Sequence, residues 1–504
     1  MPRIGSFVSP EQREEWRTLL GQSRKVGSEV RSVTRATNRP YAFALVFVVV
    51  VASLSATESR PRVAQRSEWD PRIEPIAQSV ERLRGLEFRR PVPVAFQDDA
   101  AFDRGLRVAT RSTTKAERAT EIAELEELRA FELIPANTSL DDIVDAPSTT
   151  DILAYFDPFE KRITVRGTTL DAAHKVTVAH ELTHALDDQH FDLRRFERSS
   201  RTSSANLRED LVEGDAERVA TLYRQQLTGE ERAAIDLEER AQASEPGSSG
   251  RVGTPEILDV LTVAPYLLGR PMVETVALTK GTTGVDAVFR KPPVNDETAF
   301  DVIDARKPLP PVQVATPRLR AGEQRAGPTD ELGPFFLYVV LASRISPVSA
   351  LDAADGWAGD AATTFRAHGT RCVRVAIAGR TRADTRAIAH ALESYAITLP
   401  FGAADVSTHG RTAGVTVCDR KERTAAPMAY AVRALRLLTL RNRAVAAAFD
   451  SGWRAENAAC ISSTLVHDSF VRSYIDLGQP SASQSEAFFT RYGSIVQDCA
   501  SSIP

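Results

Sequence analysis

The chain has 504 residues, of which 42% are hydrophobic and 26% charged; its length alone suggests about three domains. That mixture belongs to globular proteins, and it excludes a largely disordered chain, a collagen-like one and a multi-span transporter. A net charge of −4 supplies no basic field for nucleic acid, so no nucleic-acid partner is expected.

In chain order, residues 1–39 form a basic tail, with Arg24, Lys25, Arg31, Arg35 and Arg39 nearest an uncharged run over 40–57 (YAFALVFVVVVASLSA at its heart). The run is long enough to cross a bilayer core as one helix. The positive-inside rule then keeps the tail cytoplasmic and puts everything after Thr57 outside. The expectation is a single-pass cell-membrane protein with an extracellular main body, or a secreted one if the segment is a cleaved signal peptide. The long leader and the lack of a clean small-residue cleavage site weigh against cleavage. No cysteine stands directly after the run, which excludes a lipoprotein anchor. If 40–57 were instead a core helix, the protein would be a cytosolic regulator. Residues 58–86 are charged and weakly apolar, and read as a stalk.

Residues 87–345 read as the main domain. Val92, Val94 and Phe96 alternate as in a strand, and TKAERATEIAELEELRAF has helical spacing. ILAYFDPFEKRITVRG gives two β-runs around an Asp-Pro-Phe-Glu turn, a hairpin. Helices follow at about 168–190, 206–227 and 256–291, the last after a flexible loop at 243–255, and a proline-rich connection (KPLPPVQVATP) comes next. Residues 346–424 read as a small α/β unit with Cys372 and Cys418 on two of its strands. Residues 425–504 are helical, with Cys460 and Cys499 on the last helices. With no C-x-x-C pair, the four cysteines predict two disulfides in an exported chain, Cys372–Cys418 and Cys460–Cys499, or four free thiols in a cytosolic one. Each such loop closure typically contributes about 2–4 kcal/mol.

The chemistry concentrates in VTVAHELTHALDDQHFDL. His180 and His184 stand one turn apart on one helix face and can converge on one metal ion. Glu181 lies on the adjoining rim, where it reaches a water on that ion instead of the ion itself. Thr168 with Asp171 resembles a capping box that starts the helix. Ala172, Val176, Ala179, Thr183 and Leu186 form the opposite packing stripe. A surface helix that happens to carry two histidines is the bland alternative.

A catalytic zinc usually keeps three protein ligands and one open position. The next helix, begun by the cap-like pair Asn206 and Glu209, carries Glu209, Glu213 and Glu217 four residues apart. Like charges at that spacing repel unless a cation or donors offset them. Glu213 is the expected third ligand, and Glu217 the group that hydrogen-bonds a ligating histidine. A solvated acidic face is the alternative for the three glutamates, and His190 competes as the third ligand. Gly214 would let this helix lie close to the first. Tyr155, Tyr223 and Tyr266 are candidate oxyanion donors among which the sequence does not choose. Trp357 and His174, His368, His390, His409 and His467 read as packing or scattered surface residues.

HELTHALDD resembles the active-site helix of thermolysin-like zinc peptidases (gluzincins), whose third ligand is a glutamate on the following helix. The longer HELTHALDDQHFDL, followed by LVEGDA, resembles a family of prokaryotic surface zinc-metallopeptidase-like proteins. PVPVAF, YFDPFEKRITVRG, PYLLGRPMVE, VDAVFRKPP and GWAGD extend the resemblance over roughly residues 87 to 420. It implies a zincin-like metallopeptidase domain; together with the readings above, the expected fold class is α+β, with that domain followed by a small C-terminal α/β unit and disulfide-stapled helices, behind one N-terminal transmembrane helix. It also implies Zn²⁺ held by His180, His184 and Glu213, with Glu181 as catalytic base and a peptide or protein as substrate. After Lys291-Pro292-Pro293 such relatives tend to carry a histidine-containing segment, whereas NDETAFDVIDARK has none. The alternative function is therefore a non-catalytic zincin-like surface protein that binds a partner.

Overall fold

The computed structural model describes residues 68–110, 115–140, 152–198, 202–244, 255–306, 308–400, 402–419, 431–477 and 481–502. The fold is α+β with two sheets. The expected N-terminal transmembrane helix is a correction to that class: among the described residues no helix is long and apolar enough to cross a membrane. The run at 40–57 lies outside the described residues.

Helix α1 (Glu74–Arg84) lies within the segment expected to be a stalk. It is part of the core instead, because Ile76, Ala77 and Val80 recur at helical spacing and are buried, and it stops at Gly85 with φ +77°. Strand β1 (Val94–Gln97) follows, then α2 (Asp99–Thr110), α3 (Lys115–Ala130), and the hairpin of β2 (Ala154–Asp157) and β3 (Arg162–Arg166). The first sheet has the order β1-β3-β2, with β1 parallel and β2 antiparallel to β3. Asp157 shapes the turn by accepting from the Phe159 and Glu160 amides. Lys161 then reaches across to both carboxylate oxygens of Asp188, at 2.8 and 2.7 Å, and pins the hairpin to the next helix.

That helix is α4 (Ala172–Phe191). Ala154, Phe156, Ile163 and Val165 of the sheet pack against its Val178, Ala179, Leu182, Ala185 and Leu186. Fully burying each large aliphatic side chain contributes about 1.5–3 kcal/mol. Next come α5 (Thr202–Gln226), α6 (Gly229–Ser244) and α7 (Glu256–Arg290), which turns at Gly281, φ +69°.

Gly214 does let α5 approach another helix closely, but its neighbour is α7, not α4. A Cβ on Gly214 would lie 2.2 Å from the Gly269 carbonyl carbon, and one on Gly269 only 1.9 Å from the Asp210 oxygen. Either glycine changed to alanine should therefore cost at least about 1–3 kcal/mol by overpacking, despite alanine's better helix propensity. Denaturant melts of Gly214→Ala and Gly269→Ala check this, and unchanged midpoints would refute the contact.

Strand β4 (Gln324–Asp330), α8 (Gly333–Ala342) and α9 (Pro347–Asp355) lead into β5 (Trp357–Ala367), β6 (Thr370–Gly379), α10 (Arg382–Ile397), β7 (Ala404–His409) and β8 (Thr412–Cys418). The second sheet runs β4-β5-β6-β8-β7, all neighbours antiparallel. Its edge strand β4 comes from before residue 346, so the sheet crosses the boundary expected there. Cys372 and Cys418 are directly opposed on β6 and β8 and are bonded. The chain ends with α11 (Ala431–Asp450), α12 (Ala455–His467), α13 (Ser469–Ile475) and α14 (Ala482–Ser502), and Cys460–Cys499 joins α12 to α14.

Candidate metal centre

Helix α4 starts one turn later than the capping-box pattern suggests. Asp171 is the N-cap and accepts from the His174 amide at 2.9 Å, so Thr168 lies outside the helix. No proline or glycine interrupts it, and it ends at Asp192 with φ +52°. From Thr177 to Asp188 every residue is buried. The expected division into a packing stripe and a polar face is replaced by a helix enclosed on all sides, with the first sheet on one flank and α5 on another.

His180 and His184 share a face one turn apart, with their Nε2 atoms 2.9 Å from each other. Helix α5 begins at Thr202, whose amide donates to Asp330. Asn206 and Glu209 are therefore inside the helix and do not cap it. Its Glu213 brings Oε2 to 3.3 Å from His180 Nε2 and 3.4 Å from His184 Nε2. Those three atoms form a nearly equilateral triangle. Ligands on a tetrahedral zinc with bonds of 2.0–2.1 Å are separated by about 3.3 Å, so the triangle fits the ion. Among the described residues this is the one group of three or more side chains that could hold a metal. Burial alone would disfavour a charged His184, but the Glu213 carboxylate overrides it and pushes that imidazole up to about 9 without metal. Glu213 is correspondingly held well below the usual carboxylate range by the two imidazoles, against the effect of its own burial.

Glu181 is not one of the three grouped ligands and reaches the first sheet. Its Oε2 accepts from the Phe156 amide on β2 at 2.8 Å, across the edge that strand does not share with β3. Burial raises its pKa, opposed by the two histidines. Glu217 sits one turn after Glu213 with Oε2 3.7 Å from His180 Nδ1, which faces the ring but is outside hydrogen-bond reach. His190 is not at the centre, since its Nε2 meets the Glu87 carbonyl at 2.8 Å. His174 pairs with its own cap Asp171, and His368, His390, His409 and His467 are exposed. Trp357 is buried and its Nε1 donates to Asp360 at 3.0 Å.

Of the three candidate tyrosines, the structure brings Tyr266 to the centre. Its ring stacks on His180 at a centroid distance of 6.2 Å and 23°. Its hydroxyl donates to Glu213, and burial together with Glu213, Glu209 and Glu181 pushes its pKa well up. Tyr155 instead packs edge-on against Phe102, and Tyr223 belongs to the core under the first sheet. No local pattern marks Tyr266. It reaches the site because Gly269, three residues on, lets α7 touch α5.

Arg84 is the other residue that sequence reading passes over. Its side chain is 0% exposed and bonds Asp187 of α4 at 3.2 Å, Asp286 of α7 at 2.8 Å and Asp215 of α5. Asp215 also takes Arg218 at 2.9 Å. This charged knot ties together the helices that carry both histidines, Glu213 and Tyr266. No protein-family model, curated protein or solved structure matches the chain.

Proposed function

We propose that the protein is a zinc-dependent metallopeptidase that hydrolyses peptide bonds. The observation that carries this reading is the His180, His184 and Glu213 triangle with Glu181 beside it but not part of it. His180 Nε2, His184 Nε2 and Glu213 Oε2 would hold the ion. When bound, zinc supplies a Lewis acid for the scissile carbonyl and makes a nearby water acidic. Glu181 takes the proton from that water and later delivers it to the leaving amine. Tyr266 fixes the Glu213 carboxylate by hydrogen bonding. An extended peptide would add along the outer edge of β2, where the Phe156 amide is already held by Glu181. Two disulfides fit an oxidising compartment.

The test is to incubate the zinc-loaded full chain with a diverse peptide library and read products by mass spectrometry. Products that vanish on chelation are expected, and silence with zinc bound would contradict the reading. A second reading, a metal-holding surface protein that binds a partner without cutting it, is supported by one feature. Both histidines, Glu181 and Glu213 are at most 5% exposed.

Zinc uptake should depend on pH. Ligating imidazoles must be neutral, and His184 without metal titrates at about 9, so binding at pH 7 displaces a proton. Affinity should rise about tenfold per pH unit from 7 toward 9 and then level off. Calorimetry in buffers of different ionisation enthalpy reads the released proton directly, and its absence would contradict the assignment of His184.

A further inference from the structure

The peptidase reading leaves one carboxylate at the site without a task. Glu209 lies one turn before Glu213 on the same face of α5, and it is half-buried where the triangle, Glu181 and Tyr266 are buried. It has no hydrogen-bond or ion-pair partner among the described residues. Basic side chains of α1 and α5 hold other partners. Arg84 and Arg218 are held by Asp187, Asp215 and Asp286, while Arg208 donates to the Phe196 carbonyl. With neutral histidines, a divalent ion balances Glu181 and Glu213 and leaves Glu209 uncompensated. Burial, Glu213 and Asp210 all disfavour its ionised form, and Tyr266 lies within its field. A carboxylate so placed is stabilised when a cation arrives beside it.

We infer that Glu209 receives a cationic group of the substrate, an ammonium or guanidinium, close to the bond that is cut. Four residues separate Glu209 from the ligand Glu213, about 6 Å along the helix axis. An extended peptide advances about 3.3–3.6 Å per residue, so the cation belongs one or two residues from the scissile bond. Its source is either the free amino terminus of a short peptide or a Lys or Arg side chain.

The inference rests on the peptidase reading, and binding separates the two. The zinc-loaded full chain, silenced by Glu181→Gln, is titrated calorimetrically with three matched peptides: one with lysine and a free amino terminus, one with norleucine for lysine, and one N-acetylated. The cationic peptide should bind about tenfold more tightly than its neutral match, the effect of one charge-assisted hydrogen bond. Loss on acetylation assigns the amino terminus, and loss with norleucine assigns the side chain. Adding Glu209→Gln should abolish the preference while zinc content and affinity for the neutral peptide stay unchanged. Equal affinities, a preference that survives Glu209→Gln, or no binding by any peptide would overturn the inference. Charge-selective binding without any cleavage by the unsilenced chain would overturn the peptidase reading alone.

Discussion

Replacing Glu181 with glutamine is expected to lower peptide hydrolysis by about 10²–10⁴-fold, the usual contribution of a general base, while zinc stays bound. Glutamine keeps the shape of the side chain, and its amide oxygen still accepts from the Phe156 amide on β2. It cannot take a proton from water. Because Glu181 is 2% exposed and burial raises its pKa, the neutral replacement also removes an unfavourable buried charge. The variant should therefore melt at or above the temperature of the wild type at pH 7. Activity and stability moving in opposite directions identify a group kept for chemistry. A variant that cleaves normally, or one that loses its zinc, would refute the role.

The second large effect is structural. Arg84→Ala should cost about 3–5 kcal/mol, the penalty for removing one partner from a buried ion pair. Asp187, Asp215 and Asp286 would remain in the interior, with only Arg218 on Asp215 and the more exposed Arg290 on Asp286 to face them. Burial already pushes the Asp187 carboxyl up, and Arg84 is the first group opposing that shift. Without Arg84 its folded pKa should rise further. A carboxyl whose folded pKa lies above its unfolded value stabilises the fold below the unfolded pKa and loses that contribution as pH rises through the folded one. Because the wild-type carboxyl titrates at about 8, the deficit of Arg84→Ala should stay level from pH 5 to about 7 and grow above about pH 8. Denaturant melts at several pH values measure it, with Arg84→Met as a second variant that fills most of the vacated volume. A pH-independent loss would mean that packing, not charge, dominates at this position.

The parts of the centre that were legible are those with local periodicity. His180 and His184 share a face because four residues make about one turn, and Glu213 and Glu217 follow the same rule on α5. The β2–β3 hairpin and the Cys372–Cys418 pair were legible because alternation fixes which residues oppose each other across strands. The misses come from long-range packing. Thr168 and Asn206 look like caps, but the helices actually start where Asp171 and Asp330 satisfy their first amides. The segment over 58–86 looked charged and weakly apolar, yet its Arg84 carries a charge that three distant aspartates stabilise in the interior. Tyr266 depends on a glycine-to-glycine helix contact between segments far apart in the chain. Such contacts leave no periodic trace on either helix.

The claim on which the rest depends is that His180, His184 and Glu213 hold zinc. Anomalous diffraction at the zinc edge, from crystals of the full chain grown with zinc, tests it most directly. The expected result is one strong peak about 2.0–2.2 Å from His180 Nε2, His184 Nε2 and Glu213 Oε2, absent in a Glu213→Ala variant that still folds. A chain that takes up zinc elsewhere, or leaves this triangle empty at saturating zinc, would contradict the account.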